Sequence, residues 1–233
     1  MNSDIQLYAS TYMIAMNSEA IDFLRKLGFS RVILDRHLMV DEISEIVRRS
    51  TIEIEIFVHG GGCSNINGNC YLYHFQSQAL KRAQVMSDGM VKSPCALPYD
   101  VYDLDDGQKF LGEIPIMDAF EYCSLCNLPE LMKIGITGFK IEGRGDTPSY
   151  QENATRVYRK LIDLLARGET ESYNERLESF RSGKFVSFTS FFPNLEDVIC
   201  RQKRCYYHPL FHAPYKIPLS WQAWTKSQLV TVL

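Results

Sequence analysis

The sequence predicts an α/β fold in which parallel strands alternate with helices. Apolar runs at residues 5–8, 31–34 and 52–58 are separated by stretches whose apolar residues recur at helical spacing. The order strand, helix, strand, helix, strand needs crossover connections, which pair the strands in parallel. With 233 residues, 45% of them hydrophobic, the chain can form a packed core in one or two domains.

Local residue preferences place two helices between these strands. Asn17 or Ser18 can cap the first helix, and Gly28 can end it in the left-handed conformation. Asp41 is expected to cap the second helix. Each helix then carries an apolar face that can cover the sheet.

The third strand alternates isoleucine with Glu53 and Glu55. A parallel sheet is usually covered on both faces, so glutamates at alternate positions are unusual there. They would lie either on a solvated face, which is the more common arrangement, or toward a polar interior near the mouth of a barrel.

The later part of the chain begins with an insertion. Residues 71–112 are too long for a plain connection, so we expect them to be functional or to carry their own small structure. Asp118 can then cap a helix over residues 119–134, and residues 138–141 follow as a strand. Pro148 suits the first turn of a long helix, and Gly168 can end that helix.

Composition excludes some classes of protein. A formal net charge of -3 argues against a binder of duplex DNA, which usually has a basic face. No apolar run reaches the roughly 18 residues that a membrane span needs. No basic residue precedes Arg25, unlike a secretory signal peptide, so we expect a cytoplasmic location. The seven cysteines are then expected as thiols or metal ligands.

Five of the cysteines could contribute to a metal site. Cys63 and Cys70 follow the end of the third strand, Cys95 lies in the insertion, and Cys123 and Cys126 are three residues apart in the predicted helix. Iron–sulfur clusters are commonly held by four thiolates, which the first three could supply together with either of the last two. The alternative is that several are small buried hydrophobic residues.

A second group of metal-binding residue types lies near the C-terminus. Cys200, Cys205, His208 and His212 could suggest a zinc site. Their spacing differs from the common zinc-finger patterns, which favours structural thiols and surface histidines.

Two motifs carry a resemblance to a known family. The run 55–60, with Cys63, Gly68 and Cys70, resembles the signature Glu-x-Phe-x-x-Gly, Cys, Gly-x-Cys of the collagenase-like peptidase family U32. The run 138–144, Gly-Phe-Lys-Ile-Glu-Gly-Arg, is similar to a second hallmark of that family. The resemblance covers roughly residues 5–167.

The resemblance implies a fold, namely an incomplete TIM-type (β/α) barrel. Residues 1–168 would form the partial barrel with the insertion at 71–112, and residues 169–233 would be a C-terminal extension. The front part of the family's barrel has no counterpart here, so a protein partner could supply the missing strands.

The resemblance also implies a cofactor. Family members include O₂-independent hydroxylases of ubiquinone precursors, tRNA and rRNA, which carry a 4Fe–4S cluster on four cysteines. The family pattern matches Cys63, Cys70, Cys95 and Cys123, with Cys126 as the rival fourth ligand.

Three functions follow as hypotheses. In an iron–sulfur hydroxylase acting on a small molecule or RNA, Glu142 and Arg144 would be catalytic or substrate-binding residues at a strand end, unless they form an ion pair with each other. His59 could be an acid or base, although a hydrogen-bonded core histidine is the more common case. A peptidase would use Cys63 with His59. A non-catalytic subunit would depend on a partner.

Overall fold

The computed structural model of the chain describes residues 5–63, 99–103, 105–114, 121–144 and 147–181. Two short 3-10 turns, Thr11–Met13 and Leu125–Asn127, lie between the strands and helices. In chain order the strands and helices are β1 Leu7–Ala9, α1 Ser18–Lys26, β2 Phe29–Ile33, α2 Val40–Arg49, β3 Glu53–Gly61, β4 Tyr99–Tyr102, β5 Lys109–Ile114, β6 Glu121–Cys123, α3 Leu128–Ile134, β7 Gly138–Ile141, α4 Pro148–Ala166 and α5 Thr170–Arg181.

The main sheet is the mixed α/β arrangement that the sequence predicts. β1, β2 and β3 pair in parallel in that order, and β7 also pairs in parallel with β3. β6 pairs with the end of β3 in the antiparallel direction. The described strands leave this sheet open. β4 and β5 form a separate antiparallel hairpin that begins in the predicted insertion and ends two residues beyond it.

One apolar core joins the sheet to the helices. Ile54, Ile56 and Val58 lie on the same face of β3 and are almost completely buried. Apolar residues of α1 and α2, which precede β3 in the chain, and of α3 and α4, which follow it, are buried in the same core. They are Ile21, Leu24, Ile43, Ile46, Leu131, Val157, Leu161 and Leu164. This packing fixes β3 at the centre of the described structure.

Charged residues occupy the opposite face of the sheet. Arg31 on β2 binds Glu53 at 2.5 Å and Glu55 at 3.3 Å, and its guanidinium lies 4.6 Å from the centre of the Tyr8 ring. Glu53 is exposed and Glu55 is half-buried. The alternation of isoleucine with glutamate therefore marks a core face and a partly solvated, ion-paired face.

The ends of α1 and α4 follow their predicted signals. The side chain of Asn17 accepts a hydrogen bond from the backbone of Ala20 at 2.8 Å, and Gly28 follows α1 with φ of 96°. Pro148 occupies the first turn of α4, and Gly168 follows that helix with φ of 74°. Local chemistry alone determines these boundaries.

The predicted cap of the second helix is wrong. The helix begins at Val40, so Asp41 lies inside its first turn. The carboxylate of Glu42 instead accepts a hydrogen bond from the backbone of Met39 at 2.7 Å. Because this bond satisfies the backbone N–H of the residue before the helix, the helix can begin without a capping side chain.

The predicted helix over residues 119–134 is wrong in its first part and correct from Leu128 to its end at Ile134. Residues 121–123 form β6, and the helix begins only at Leu128. Pro129 explains the start, since proline lacks an N–H and fits only the first turn of a helix. Cys123 and Cys126 are therefore on a strand and a 3-10 turn, and Asp118 lies outside the described residues.

Helix α5 lies in the part of the chain for which no element was predicted. Tyr173, Leu177 and Phe180 recur at helical spacing, and this pattern was readable in the sequence. Tyr173 and Phe180 are buried in the same core as the sheet, and Leu177 packs against it. Across the described parts of the chain, no helix has the length and apolar character needed to cross a bilayer.

Candidate active site at the carboxyl end of the sheet

Three parallel strands end at one edge of the sheet. The register pairs Ile33 of β2 with Glu55 and Ile141 of β7 with His59 on β3. The segments that leave these strands are 34–37, 62–63 and 142–144. In parallel α/β folds this edge is where binding and catalytic groups are placed.

An ion pair joins the ends of β2 and β7. Arg36 binds the carboxylate of Glu142, and its guanidinium lies 4.0 Å from the centre of the Phe57 ring. The Arg36 side chain is only 9% exposed, and its Nε has no hydrogen-bond partner among the described residues. Arg36 thus offers a donor next to a carboxylate that is 43% exposed.

The ion pair between Glu142 and Arg144, which was the alternative to a role for them in the site, does not form. Glu142 pairs with Arg36 instead, across 106 positions of the sequence. Arg144 is exposed and makes no ion pair with any other described residue. Its backbone carbonyl accepts a hydrogen bond from the Gln151 side chain at 3.2 Å, which anchors the backbone beneath the exposed guanidinium.

Gly60 allows the end of β7 to approach β3 closely. The backbone N–H of Glu142 donates to the carbonyl of His59 at 2.9 Å. A Cβ atom on Gly60 would lie 2.7 Å from Cβ of Glu142 and 2.8 Å from its carbonyl oxygen. Gly60 also has φ of 108°, which side chains disfavour. Gly60, the first glycine of the motif, is therefore required for Glu142 to occupy this position.

An aspartate–histidine pair lies beside Cys63. His37 Nδ1 contacts Oδ1 of Asp35, whose side chain has no exposed surface. The hydrogen bond to Asp35 and, to a smaller extent, a hydrogen bond to the backbone of Cys63 raise the pKa of His37. The pair was not identified from the sequence, although the run Asp-Arg-His directly after a buried strand could have indicated it.

His59 is a buried core residue. Its side chain is completely inaccessible, and burial lowers its pKa to about 3. Its Nδ1 lies 3.3 Å from the hydroxyl of Tyr158, which donates its only proton to the carbonyl of Val58 at 2.5 Å. His59 must therefore be neutral and carry its proton on Nδ1. His59 is thus the hydrogen-bonded core histidine that was expected as the more common case, and not an exposed acid or base.

Two buried tyrosines hold the segment that carries Cys123. The backbone of Ser124 donates to the hydroxyl of Tyr158 at 3.1 Å, and the hydroxyl of Tyr173 donates to the carbonyl of Leu125 at 2.5 Å. Burial raises the pKa of Tyr173, so its hydroxyl stays a donor at neutral pH. Helices α4 and α5 thus position the cysteine segment, a role that nothing in the local sequence reveals.

The predicted metal ligands fall partly within the described structure. Cys63 is half-buried just beyond β3, Cys123 is buried on β6, and Cys126 is exposed; no disulfide bond joins any of them to another described cysteine. Cys70, Cys95, Cys200 and Cys205 lie outside the described residues. Within the described ranges no three His, Cys, Asp or Glu side chains surround a common point.

The thiols present have the donor chemistry that an iron–sulfur cluster needs. Cys123 lies on β6, where it pairs with His59 of β3, and Cys63 lies two residues beyond the end of β3. The hydroxyl of Ser124, next to Cys123, is buried and has no hydrogen-bond partner in the described part of the chain. Such a donor could bond to a thiolate or a sulfide, and such bonds tune iron–sulfur centres. Thiol donors and a buried hydroxyl donor are therefore present in the described part of the site, while the cluster itself stays a prediction.

The fold and the site define an α/β protein with thiols and an ion pair at the carboxyl edge of an open sheet. A model of Peptidase family U32 matches residues 1–196, and the chain belongs to this family. No solved structure matches the chain at a significant level.

Several curated proteins are similar to the chain. The 23S rRNA 5-hydroxycytidine C2501 synthase of Escherichia coli is 33% identical over 161 residues, which are 69% of this chain and 24% of that protein. The tRNA hydroxylation protein P1 of Bacillus subtilis is 30% identical, over 69% of this chain and 38% of that protein. The collagenase of Porphyromonas gingivalis is 28% identical, over 70% and 41%. The chain thus spans less than half of each of these relatives.

Proposed function

We propose that the chain acts in the O₂-independent hydroxylation of RNA and holds a 4Fe–4S cluster on Cys63, Cys70, Cys95 and Cys123. The observation that carries the proposal is the convergence of Cys63 and the Arg36–Glu142 pair at one strand edge. Relatives named for tRNA hydroxylation and for 5-hydroxycytidine synthesis in rRNA support the substrate class.

The cluster, when bound, would supply electron transfer, and the protein would position the RNA beside it. Arg36 is held by Glu142 and the Phe57 ring, so it fixes the position of the half-exposed Glu142 carboxylate, which can accept a hydrogen bond from a substrate. Arg144 is an exposed guanidinium two residues beyond Glu142, which suits a phosphate of the RNA backbone. Glu142 and Arg144 therefore remain the proposed site residues. His59 is buried against the Tyr158 hydroxyl, so we assign it a role in positioning that tyrosine rather than a role as acid or base.

Complementation tests the proposal. The chain would be expressed in an Escherichia coli strain that lacks its own hydroxylase genes of this family, and nucleosides from rRNA and tRNA would be measured by mass spectrometry. We expect hydroxylated nucleosides to return with the wild-type chain and to fall at least about tenfold with Arg144→Ala, the loss expected for a charge-assisted phosphate contact. Arg156→Ala, on the exposed face of α4, is the matched control. An iron-loaded chain that restores no hydroxylated nucleoside contradicts the proposal.

A cysteine peptidase is the second candidate. The Asp35–His37 pair beside Cys63 favours it, because a nucleophile, a base and an orienting carboxylate are the parts that such an enzyme needs. A gelatin-hydrolysis assay on the metal-free chain distinguishes the two functions. The hydroxylase proposal predicts no hydrolysis above that of Cys63→Ser, whereas hydrolysis abolished by this substitution would favour the peptidase.

We also propose that a partner adds strands to the sheet. β1 ends the strand order of the described sheet, and Leu7 and Tyr8 on it are 45% and 47% exposed. Exposed strand edges are usually covered in native proteins. Co-purification of the tagged chain from its own cells would test this, and a monomer without any bound protein would contradict it.

A further inference from the structure

An exposed aromatic ring lies on the charged face of the sheet. Tyr8 is 47% exposed, and the strand register places it beside Arg31, on the face opposite to the buried isoleucines of β3. Its ring centre lies 4.6 Å from the guanidinium carbon of Arg31, and its hydroxyl donates to Oε1 of Gln6 at 2.7 Å. Two contacts thus hold the ring while much of it stays open to solvent.

Arg31 supports this ring and is not a free cation. Its guanidinium binds Glu53 at 2.5 Å and Glu55 at 3.3 Å, and its side chain is only 25% exposed. Because two carboxylates already neutralise Arg31, it has little attraction for an anionic ligand. A ring that is fixed on such a support can stack on a nucleobase without first losing rotamer freedom.

A cation without a carboxylate partner lies on the same face. Lys140 on β7 is half-buried, and its ammonium donates to Oγ of Ser10 at 3.4 Å and lies 5.4 Å from the centre of the Phe57 ring. It forms no ion pair with any residue that the structure describes, since the glutamates of β3 are bound to Arg31 instead. An ammonium has three donors, so Lys140 retains donors for an anion.

The bond between Lys140 and Ser10 shows the shape of this face. β2 and β3 lie between β1 and β7, so β1 and β7 would be roughly 14 Å apart in a flat sheet. A lysine side chain can bridge them only where the sheet curves, which makes the charged face concave. Ser10 follows Tyr8 by two residues, about 7 Å along an extended chain. The ring and the ammonium are therefore about as far apart as a base and the phosphate of its own nucleotide.

We propose that this concave face binds one nucleotide of a single-stranded RNA, with Tyr8 stacked on the base and with Lys140 and Ser10 bound to the phosphate. The choice of RNA rests on the proposed function. Stacking on Tyr8 accepts any base, and the phosphate contact fixes the position of the strand.

This nucleotide flanks the one that reacts. Lys140 precedes Glu142 by two residues on β7, so it lies on the amino side of the proposed active edge. A partner strand paired with β1 would bond to the backbone edge of that strand. The Tyr8 ring, which lies on the face of the sheet, would remain free to stack.

RNA binding by the chain purified without oxygen tests the inference. Fluorescence anisotropy of a fluorescein-labelled single-stranded oligocytidylate gives the affinity at several salt concentrations. The variants are Tyr8→Ala, Tyr8→Phe and Lys140→Ala. The matched controls are Tyr12→Ala, because Tyr12 is 79% exposed in the turn after β1, and Lys133→Ala, because Lys133 is exposed on α3.

The two parts of the subsite have different signatures. We expect Tyr8→Ala to weaken binding about five- to a hundredfold, the loss for one stacked base, and Tyr8→Phe to stay within about twofold of wild type. Lys140→Ala should reduce the slope of log affinity against log salt concentration by about 0.7, the value for one phosphate of a single strand. Tyr8→Ala should leave this slope unchanged, a separation that a merely structural role would not produce.

Several results would overturn the inference. They are binding within about twofold of wild type in Tyr8→Ala, an unchanged salt slope in Lys140→Ala, and equal losses in the control variants. A wild-type chain that binds no single-stranded RNA would contradict both the inference and the proposed function.

The two proposals fail separately in the remaining cases. A wild type that restores hydroxylated nucleosides, with variants that bind RNA normally, overturns the nucleotide subsite alone. A wild type that binds RNA through Tyr8 and Lys140 but restores no hydroxylated nucleoside supports the subsite and contradicts the proposed function.

Discussion

The hydroxyl of Tyr158 provides the sharpest test of how the site is held together. It donates to the carbonyl of Val58 at 2.5 Å, accepts from the backbone of Ser124 at 3.1 Å and lies 3.3 Å from Nδ1 of His59. All three partners are at most 1% exposed. Replacing Tyr158 by Phe removes one oxygen atom and leaves each of these buried groups without that bond.

The magnitude follows from the number and quality of these bonds. A buried polar group left unsatisfied costs about 1–3 kcal/mol. The bonds to Val58 and Ser124 are short enough to count fully, and the contact to His59 is long. With some relaxation, we expect Tyr158→Phe to lower the free energy of unfolding by about 3 kcal/mol.

Urea unfolding followed by circular dichroism measures this change. Tyr12→Phe is the matched control, because Tyr12 is 79% exposed, and we expect it to change stability by less than about 0.5 kcal/mol. A loss below about 1 kcal/mol for Tyr158→Phe would refute the reasoning, since the hydroxyl would then not support the β3 and β6 segments.

Three further changes have defined outcomes. Gly60→Ala should lower the free energy of unfolding in urea by about 2 kcal/mol or more. Gly61→Ala is the control and should cost about 1 kcal/mol or less, because an added Cβ meets nothing within 4 Å there. Equal effects would contradict the close approach of Glu142 to Gly60. Glu142→Gln should cost about 1–2 kcal/mol, because Arg36 loses its charged partner, and the loss should change little with added salt. Asn17→Ala should cost about 1 kcal/mol by removing a helix cap, and an unchanged melting temperature would argue against the cap.

Local features of the fold were predictable from the sequence. The cap at Asn17, the turn at Gly28 and the start at Pro148 depend on neighbouring residues alone, and the structure has all three. The parallel pairing of β1, β2 and β3 followed from element order. The strand Glu121–Cys123 was missed, because three residues within a helix-like pattern become a strand only by pairing with β3.

The candidate site was predictable only where a motif is contiguous. Cys63 and Glu142 lie at strand ends, as their motifs suggested. The Arg36–Glu142 pair joins residues 106 positions apart, and no local sequence pattern predicts such a contact. The tyrosines that hold the Cys123 segment likewise come from distant helices. Tertiary packing, rather than local preference, brings these groups together.

The central claim is that Cys63 and Cys123 are ligands of one iron–sulfur cluster. Its most direct test is the iron and sulfide content, with the visible absorbance, of the chain reconstituted without oxygen. We predict about four iron atoms per chain in the wild type and in Cys126→Ala, and a loss of most of the iron in Cys63→Ala and Cys123→Ala. A wild-type chain without iron, or full iron content in Cys63→Ala, would contradict the account.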